Sequence, residues 1–76
     1  MNILLSQLKI GQKATVLEVN LEEIPLKLVE MGCLPESKIE LRQIAPLGDP
    51  LYFVVDESHI AIRKETANCI TVKLEE

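Results

Sequence analysis

Read for apolar and polar positions alone, the chain breaks into short alternating runs separated by turn residues. Lys13 to Val19 sets Ala14 and Val16 on one face and Thr15, Leu17 and Val19 on the other, as expected of a strand in a small curled sheet with both faces partly covered. Lys38 to Ile44 sets Ile39 and Leu41 against Lys38, Glu40 and Arg42. It then changes phase, so that Ile44 is apolar where a polar residue is due; such a slip predicts a bulge or a strong bend. Leu51 to Val55 is continuously apolar and ends at the turn composition Asp56-Glu57-Ser58. His59 to Arg63 returns at once, so these two runs predict a hairpin. A fifth run places Ile70, Val72 and Leu74 inward and Thr71 and Lys73 outward.

Between these runs lie the helical and turn signals. The start, Leu4 to Gln12, reads as a short turn that lays Leu5 and Leu8 on the core before Gly11 releases the chain into the first strand. Glu22 to Gly32 has acids and a proline in its opening turn and a glycine where a helix should stop, which predicts a helix of about two turns. At roughly 100° per residue, Ile24, Leu28 and Met31 share one face and Leu26 and Val29 project from another. Lys27 and Glu30 leave only a narrow polar strip. That apolar face is wider than one contact with a sheet requires, and Leu26 and Val29 either tuck against a neighbouring loop or form a partner-binding patch. Ala45 to Leu51 is a shaped loop: Pro46 and Pro50 push Ala45 and Asp49 towards extended backbone, and Gly48 can take the positive φ of a tight reversal. Lys64 to Asn68 supplies one polar helical turn before the last strand.

These elements describe a mainly β fold: a small five-stranded SH3-like barrel with one short helix between strands one and two. Closing the sheet hides strand edges that would otherwise aggregate. An OB-type barrel fits less well, because the main helix sits between the first two strands and the aromatic platform that stacks bases is missing. With 76 residues, the chain is a single domain spanning 1–76. Apolar residues make up 47% but aromatics only 3%, so Leu, Ile and Val build the core.

Charge and cysteines narrow the function. Net charge is −4, and the eight Lys and Arg residues form no cluster longer than Arg63-Lys64, so nucleic acid is not an expected partner. The acidic pairs Glu22-Glu23, Asp56-Glu57 and Glu75-Glu76 read as solvated surface. No run approaches the roughly 20 apolar residues of a membrane helix, and no secretory segment opens the chain. A cytoplasmic protein without direct membrane insertion is expected, with Cys33 and Cys69 as buried or half-buried free thiols.

No catalytic set is visible. His59 is the one histidine that could serve as base for any serine or cysteine, and it opens a hairpin strand. Cys33, His59 and Cys69 lack the paired spacing of a zinc site, and Gly11, Gly32 and Gly48 stand alone rather than in a phosphate-cradling loop. No metal, cofactor or catalytic residue is assigned.

The order Leu28-Val29-Glu30-Met31-Gly32-Cys33-Leu34-Pro35, Ile39-Glu40-Leu41, Ala45-Pro46-Leu47-Gly48-Asp49-Pro50-Leu51, Ile60-Ala61-Ile62-Arg63-Lys64-Glu65-Thr66-Ala67 and Ile70-Thr71-Val72 resembles the FeoA family of bacterial ferrous iron transport proteins. The likeness runs over nearly the whole chain, including Leu5, Leu8 and Gly11. Its most specific parts are the Ala-Pro-Leu-Gly-Asp-Pro loop and the Ile-Ala-Ile-Arg segment. The resemblance implies an SH3-like barrel, no enzymatic activity, and a cytoplasmic accessory role for FeoB, the membrane iron permease with a cytoplasmic GTP-binding domain, so that the protein sits peripheral to the inner membrane through its partner. Two turns depart from the pattern: Glu36 follows the proline of the helix-exit turn, and Asp56-Glu57-Ser58 fills the hairpin, where relatives often carry glycine. Both turns are then expected to avoid positive φ, as type I turns do. Helix positions often basic in relatives are here Leu26 and Lys27.

The expected contact surface is therefore Leu26 and Val29 on the helix with Leu47 at the loop tip, while Ile24, Leu28 and Met31 pack the core. Two other readings come from different classes: an interaction module in iron-dependent transcriptional regulation, and a direct ferrous-ion sensor using Cys33, Cys69, His59 and the acidic pairs.

Overall fold

A computed structural model describes residues 1–19, 22, 24, 26–30 and 32–75; Asn20, Leu21, Glu23, Pro25, Met31 and Glu76 lie outside the described residues. The expectation that Met31 packs the core falls on one of these. The alternating runs become antiparallel strands: β1 (Asn2–Leu4), β2 (Lys13–Val19), β3 (Lys38–Ile44), β4 (Leu51–Val55), β5 (Ser58–Ile62) and β6 (Ile70–Leu74). A 3-10 turn, Leu5–Gln7, follows β1, and two short helices, α1 (Leu26–Glu30) and α2 (Lys64–Ala67), follow β2 and β5. The sheet order is β1-β6-β2-β3-β4-β5.

The fold is mainly β, as the pattern predicts, but has a sixth strand among the described residues. Three residues are too few to show a period, so β1 was not readable; it exists because Asn2, Ile3 and Leu4 find Lys73, Val72 and Thr71 on β6. The opening turn is as expected, with Leu5 and Leu8 buried and the Leu4 N–H donating to Gln7 Oε1 at 2.8 Å. The predicted helix is present as α1, whose described residues are the five from Leu26 to Glu30. The fourth predicted strand begins one residue earlier and ends one residue earlier, at Ile62.

Two bulges bend the sheet. On β3 the register passes from Leu41↔Phe53 to Gln43↔Tyr52, leaving Arg42 as the extra residue, and this is the phase change read at Ile44. On β2 it passes from Val16↔Val72 to Glu18↔Thr71, leaving Leu17 as the extra residue. This second bulge corrects the assignment of Val19. Strict alternation puts Val19 opposite Val16, but the inserted residue returns it to the face of its partner Ile70, against the core.

The core is aliphatic with one ring. Ala14, Val16, Ile39, Leu41, Leu51, Phe53, Val55, Ile60, Ile62, Ile70 and Val72 come from the strands, and Ile24, Leu28, Cys33 and Ala67 from the helical segments, with no polar residue buried among the described residues.

The two glycine-poor turns contradict expectation. Glu36 has φ 74°, and Asp56 and Glu57 have φ 46° and 74°. The Ser37 N–H donates to Leu34 O at 3.1 Å, closing a turn with Pro35 second and Glu36 third, the type II arrangement whose third residue requires positive φ. Val55 pairs with Ser58, so Asp56-Glu57 is a two-residue hairpin loop with both φ positive, the type I′ turn whose twist matches the flanking strands. Sheet geometry therefore overrides side-chain preference at these positions.

Candidate interaction surface

The Ala45 to Leu51 loop is held from both ends. The Ala45 N–H donates to Pro50 O at 3.1 Å, and the Gly48 N–H donates to Ala45 O at 2.7 Å, with Gly48 at φ 89° as its turn requires. Asp49 Oδ1 accepts from the Lys64 N–H at 2.9 Å, where α2 begins. Arg63, at the N-cap, has no side-chain bond to the helix, so Asp49 performs that role from the loop. The tip of this braced loop presents Leu47, 96% exposed.

On α1, Leu28 is buried and Leu26 is 69% exposed, with Val29 between these extremes. The Cys33 N–H donates to Leu28 O and the Gly32 N–H to Val29 O, so the helix ends where the glycine predicts; Gly32 has φ 104°. Ile24 and Leu28 take the core positions expected of them. The anchoring bonds run from the loop to α2, not to α1, so no described bond joins Leu47 to the Leu26 and Val29 pair. Sequence reading missed further exposed apolar side chains, Ile10, Leu34 and Tyr52, which sit singly in turns or on the outer face of β4 where no period marks them.

The chemistry-bearing residues do not converge. Cys33 is buried, and burial pushes its thiol above the ordinary range. Cys69 is half-buried, with Sγ donating to Glu65 O at 3.7 Å. His59 is exposed on β5 opposite Val54. Among the described residues, no three His, Cys, Asp or Glu side chains group as metal ligands would. Nor is any described helix long and apolar enough to cross a membrane.

A short, twice-bulged antiparallel sheet with a helical turn before its last strand is an SH3-like fold. Comparison with known proteins sharpens this. The FeoA domain family matches residues 3–74, and the chain belongs to the FeoA family. It is 34% identical over 71 residues to the Fe(2+) transport protein A/Fe(2+) transporter FeoB fusion protein of Porphyromonas gingivalis, covering 92% of this chain and 8% of that one. The chain thus spans only a small part of that relative. Iron(II) transport protein A from Clostridium thermocellum superimposes with a TM-score of 0.82 at 37% identity, over 95% of this chain and 45% of that one. The FeoA of Stenotrophomonas maltophilia, a prokaryotic SH3 domain protein complexed with zinc, does so with a TM-score of 0.79 at 25% identity, over 93% of this chain and 89% of that one.

Proposed function

We propose that this protein is a non-enzymatic, cytoplasmic accessory protein of bacterial ferrous iron uptake that docks on the cytoplasmic part of an FeoB-type permease. The observation that carries the reading is the relative in which an FeoA segment and an FeoB transporter form one polypeptide. Covalent fusion holds two segments at high effective concentration, which favours pairs that work in contact.

Leu26, Val29 and Leu47 are the docking residues in this proposal. Leu47 and Leu26 each leave most of an apolar side chain in water and so gain from a partner that covers them. Two patches, one on α1 and one on the loop, would grip the partner at separate points. The test is calorimetric titration of the soluble GTP-binding part of the permease with wild-type protein and with the Leu26→Asp/Val29→Asp double variant. Loss of binding with an unchanged circular dichroism spectrum supports the docking face. Undiminished binding removes it.

A further inference from the structure

The hydrogen-bonded ladder ends at β5, and β5 is not protected as edge strands usually are. Its residues, Ser58-His59-Ile60-Ala61-Ile62, include no Lys, no Pro and no bulge. The type I′ turn fixes which of its backbone groups are free. In a two-residue hairpin the closing pair, here Val55 and Ser58, is hydrogen-bonded, and bonded pairs alternate along the ladder. Ser58, Ile60 and Ile62 therefore bond to β4, while His59 and Ala61 turn their N–H and C=O groups outward. Both residues are exposed, and among the described residues no backbone bond from another element reaches either.

We infer that β5 pairs antiparallel with β5 of a second copy of this chain, about a two-fold axis at Ile60. In that register His59 faces Ala61 of the second copy, and Ala61 faces its His59. These are the residues with free groups, so each pair can exchange both of its N–H···O bonds. The charges select the same arrangement. Continuing the register one residue beyond the strand sets Glu57, the last residue of the turn, against Arg63 of the second copy. Arg63 is extended, at φ −69° and ψ 148°, and prolongs the line of β5. A strand with acids before it and bases after it is complementary to itself only when the two copies run antiparallel, and the pairing is isologous, so it closes at two. Exposed ion pairs add little affinity each, and here they set orientation and register. The contact is small, so the dimer is weak and reversible.

Sedimentation velocity and backbone amide exchange at low salt, from about 20 µM to about 1 mM, test the pairing in the range where so small an interface dissociates. The expected result is a shift from monomer towards dimer, with the His59 and Ala61 amides gaining protection as concentration rises. Glu57→Arg and Arg63→Glu each put like charges together and should weaken self-association about tenfold, while an equimolar mixture restores opposite charges at both ends and recovers it. Both substitutions are on the surface, and circular dichroism checks that each variant is folded. A protein that stays monomeric at the highest concentration overturns the inference, even if a strand from another protein protects the same amides. Variants that self-associate like the wild type, or a mixture that recovers nothing, overturn it equally.

Discussion

Asp49 and Lys64 are joined by a single bond, Asp49 Oδ1 accepting from the Lys64 backbone N–H at 2.9 Å. The two segments that most specifically mark this chain as an FeoA, the proline-rich loop and the Ile-Ala-Ile-Arg stretch, are thereby one structural unit. Asp49 supplies the cap that Arg63 does not provide, and Gly48 lies close beneath the Lys64 ammonium, 3.6 Å from where a Cβ would stand. Asp49→Ala should cost about 1 kcal/mol, the usual loss for removing a capping oxygen, while Asp49→Asn keeps an acceptor and should cost less. Urea denaturation of the two variants beside the wild type checks the order.

The hairpin turn yields a prediction in the opposite direction. Glu57 sits at φ 74°, where a side chain costs roughly 1–2 kcal/mol and glycine costs only the entropy of its freer unfolded chain. Glu57→Gly should therefore stabilise the protein by about 0.5–1 kcal/mol, and Glu36→Gly, at the same φ, should act alike. A denaturation midpoint that falls for both variants would mean that these side chains make contacts outweighing the strain.

These turns also show where sequence reading ran out. The five longer strands, the core-facing Leu5 and Leu8, the stop at Gly32 and the bulge before Ile44 were legible because apolar periodicity and glycine placement report directly on burial and backbone. The acidic residues at 36, 56 and 57 misled because type I preference is a local property, whereas the positive φ is imposed by the pairing of Val55 with Ser58 and by the closure of Leu34 with Ser37. Leu17 hid a bulge for a similar reason: an apolar residue extends an alternating pattern whether or not it is paired. The helix wheel left Leu26 either against a neighbouring loop or on an open patch, and only the loop-tip position made the exposure of Leu47 legible. The open edge of β5 was not, since strand order is a property of the whole sheet.

The two thiols should differ sharply in reactivity. Cys33 is fully buried and its thiol is held above the ordinary range by desolvation, which disfavours the nucleophilic thiolate, whereas Cys69 is partly open. Under native conditions a maleimide or disulfide reagent should modify Cys69 at least about tenfold faster than Cys33. Mass spectrometry of time-quenched samples separates the two sites, and equal rates would show that the region around Cys33 opens readily.

Lys38 and Glu75 form an ion pair between β3 and the residue after β6, and Thr15 adds a hydroxyl. The hydrogen bond from Lys38 is the main reason the Glu75 carboxyl lies below the ordinary glutamate range. A depressed folded-state value means that the contribution to stability is present above the unfolded value and is lost as pH falls through the folded one, so it disappears on the acid side. An NMR titration should show the Glu75 carboxyl titrating below ordinary glutamates in the wild type and moving back up in Lys38→Met. Because the pair is exposed, added salt should shrink the difference.

The exposed leucines allow fold and docking to be separated within one set of variants. Leu47 has almost all of its surface in water and stands on a loop braced by Asp49, so a change there removes no core contact. Leu47→Asp should leave stability within about 0.5 kcal/mol of the wild type, as surface substitutions away from special features do. Leu28, two residues beyond the exposed Leu26 on the same helix, is buried, and Leu28→Asp would place an unpaired charge in an aliphatic core, which should unfold the protein or cost several kcal/mol. Binding to the soluble part of an FeoB-type permease then discriminates between the patches. If both grip the partner, Leu47→Asp and the Leu26→Asp/Val29→Asp double variant each lower affinity in folded protein, and combining them lowers it further, the two effects adding because no described bond joins the loop to α1. An affinity indifferent to Leu47→Asp confines docking to the helix.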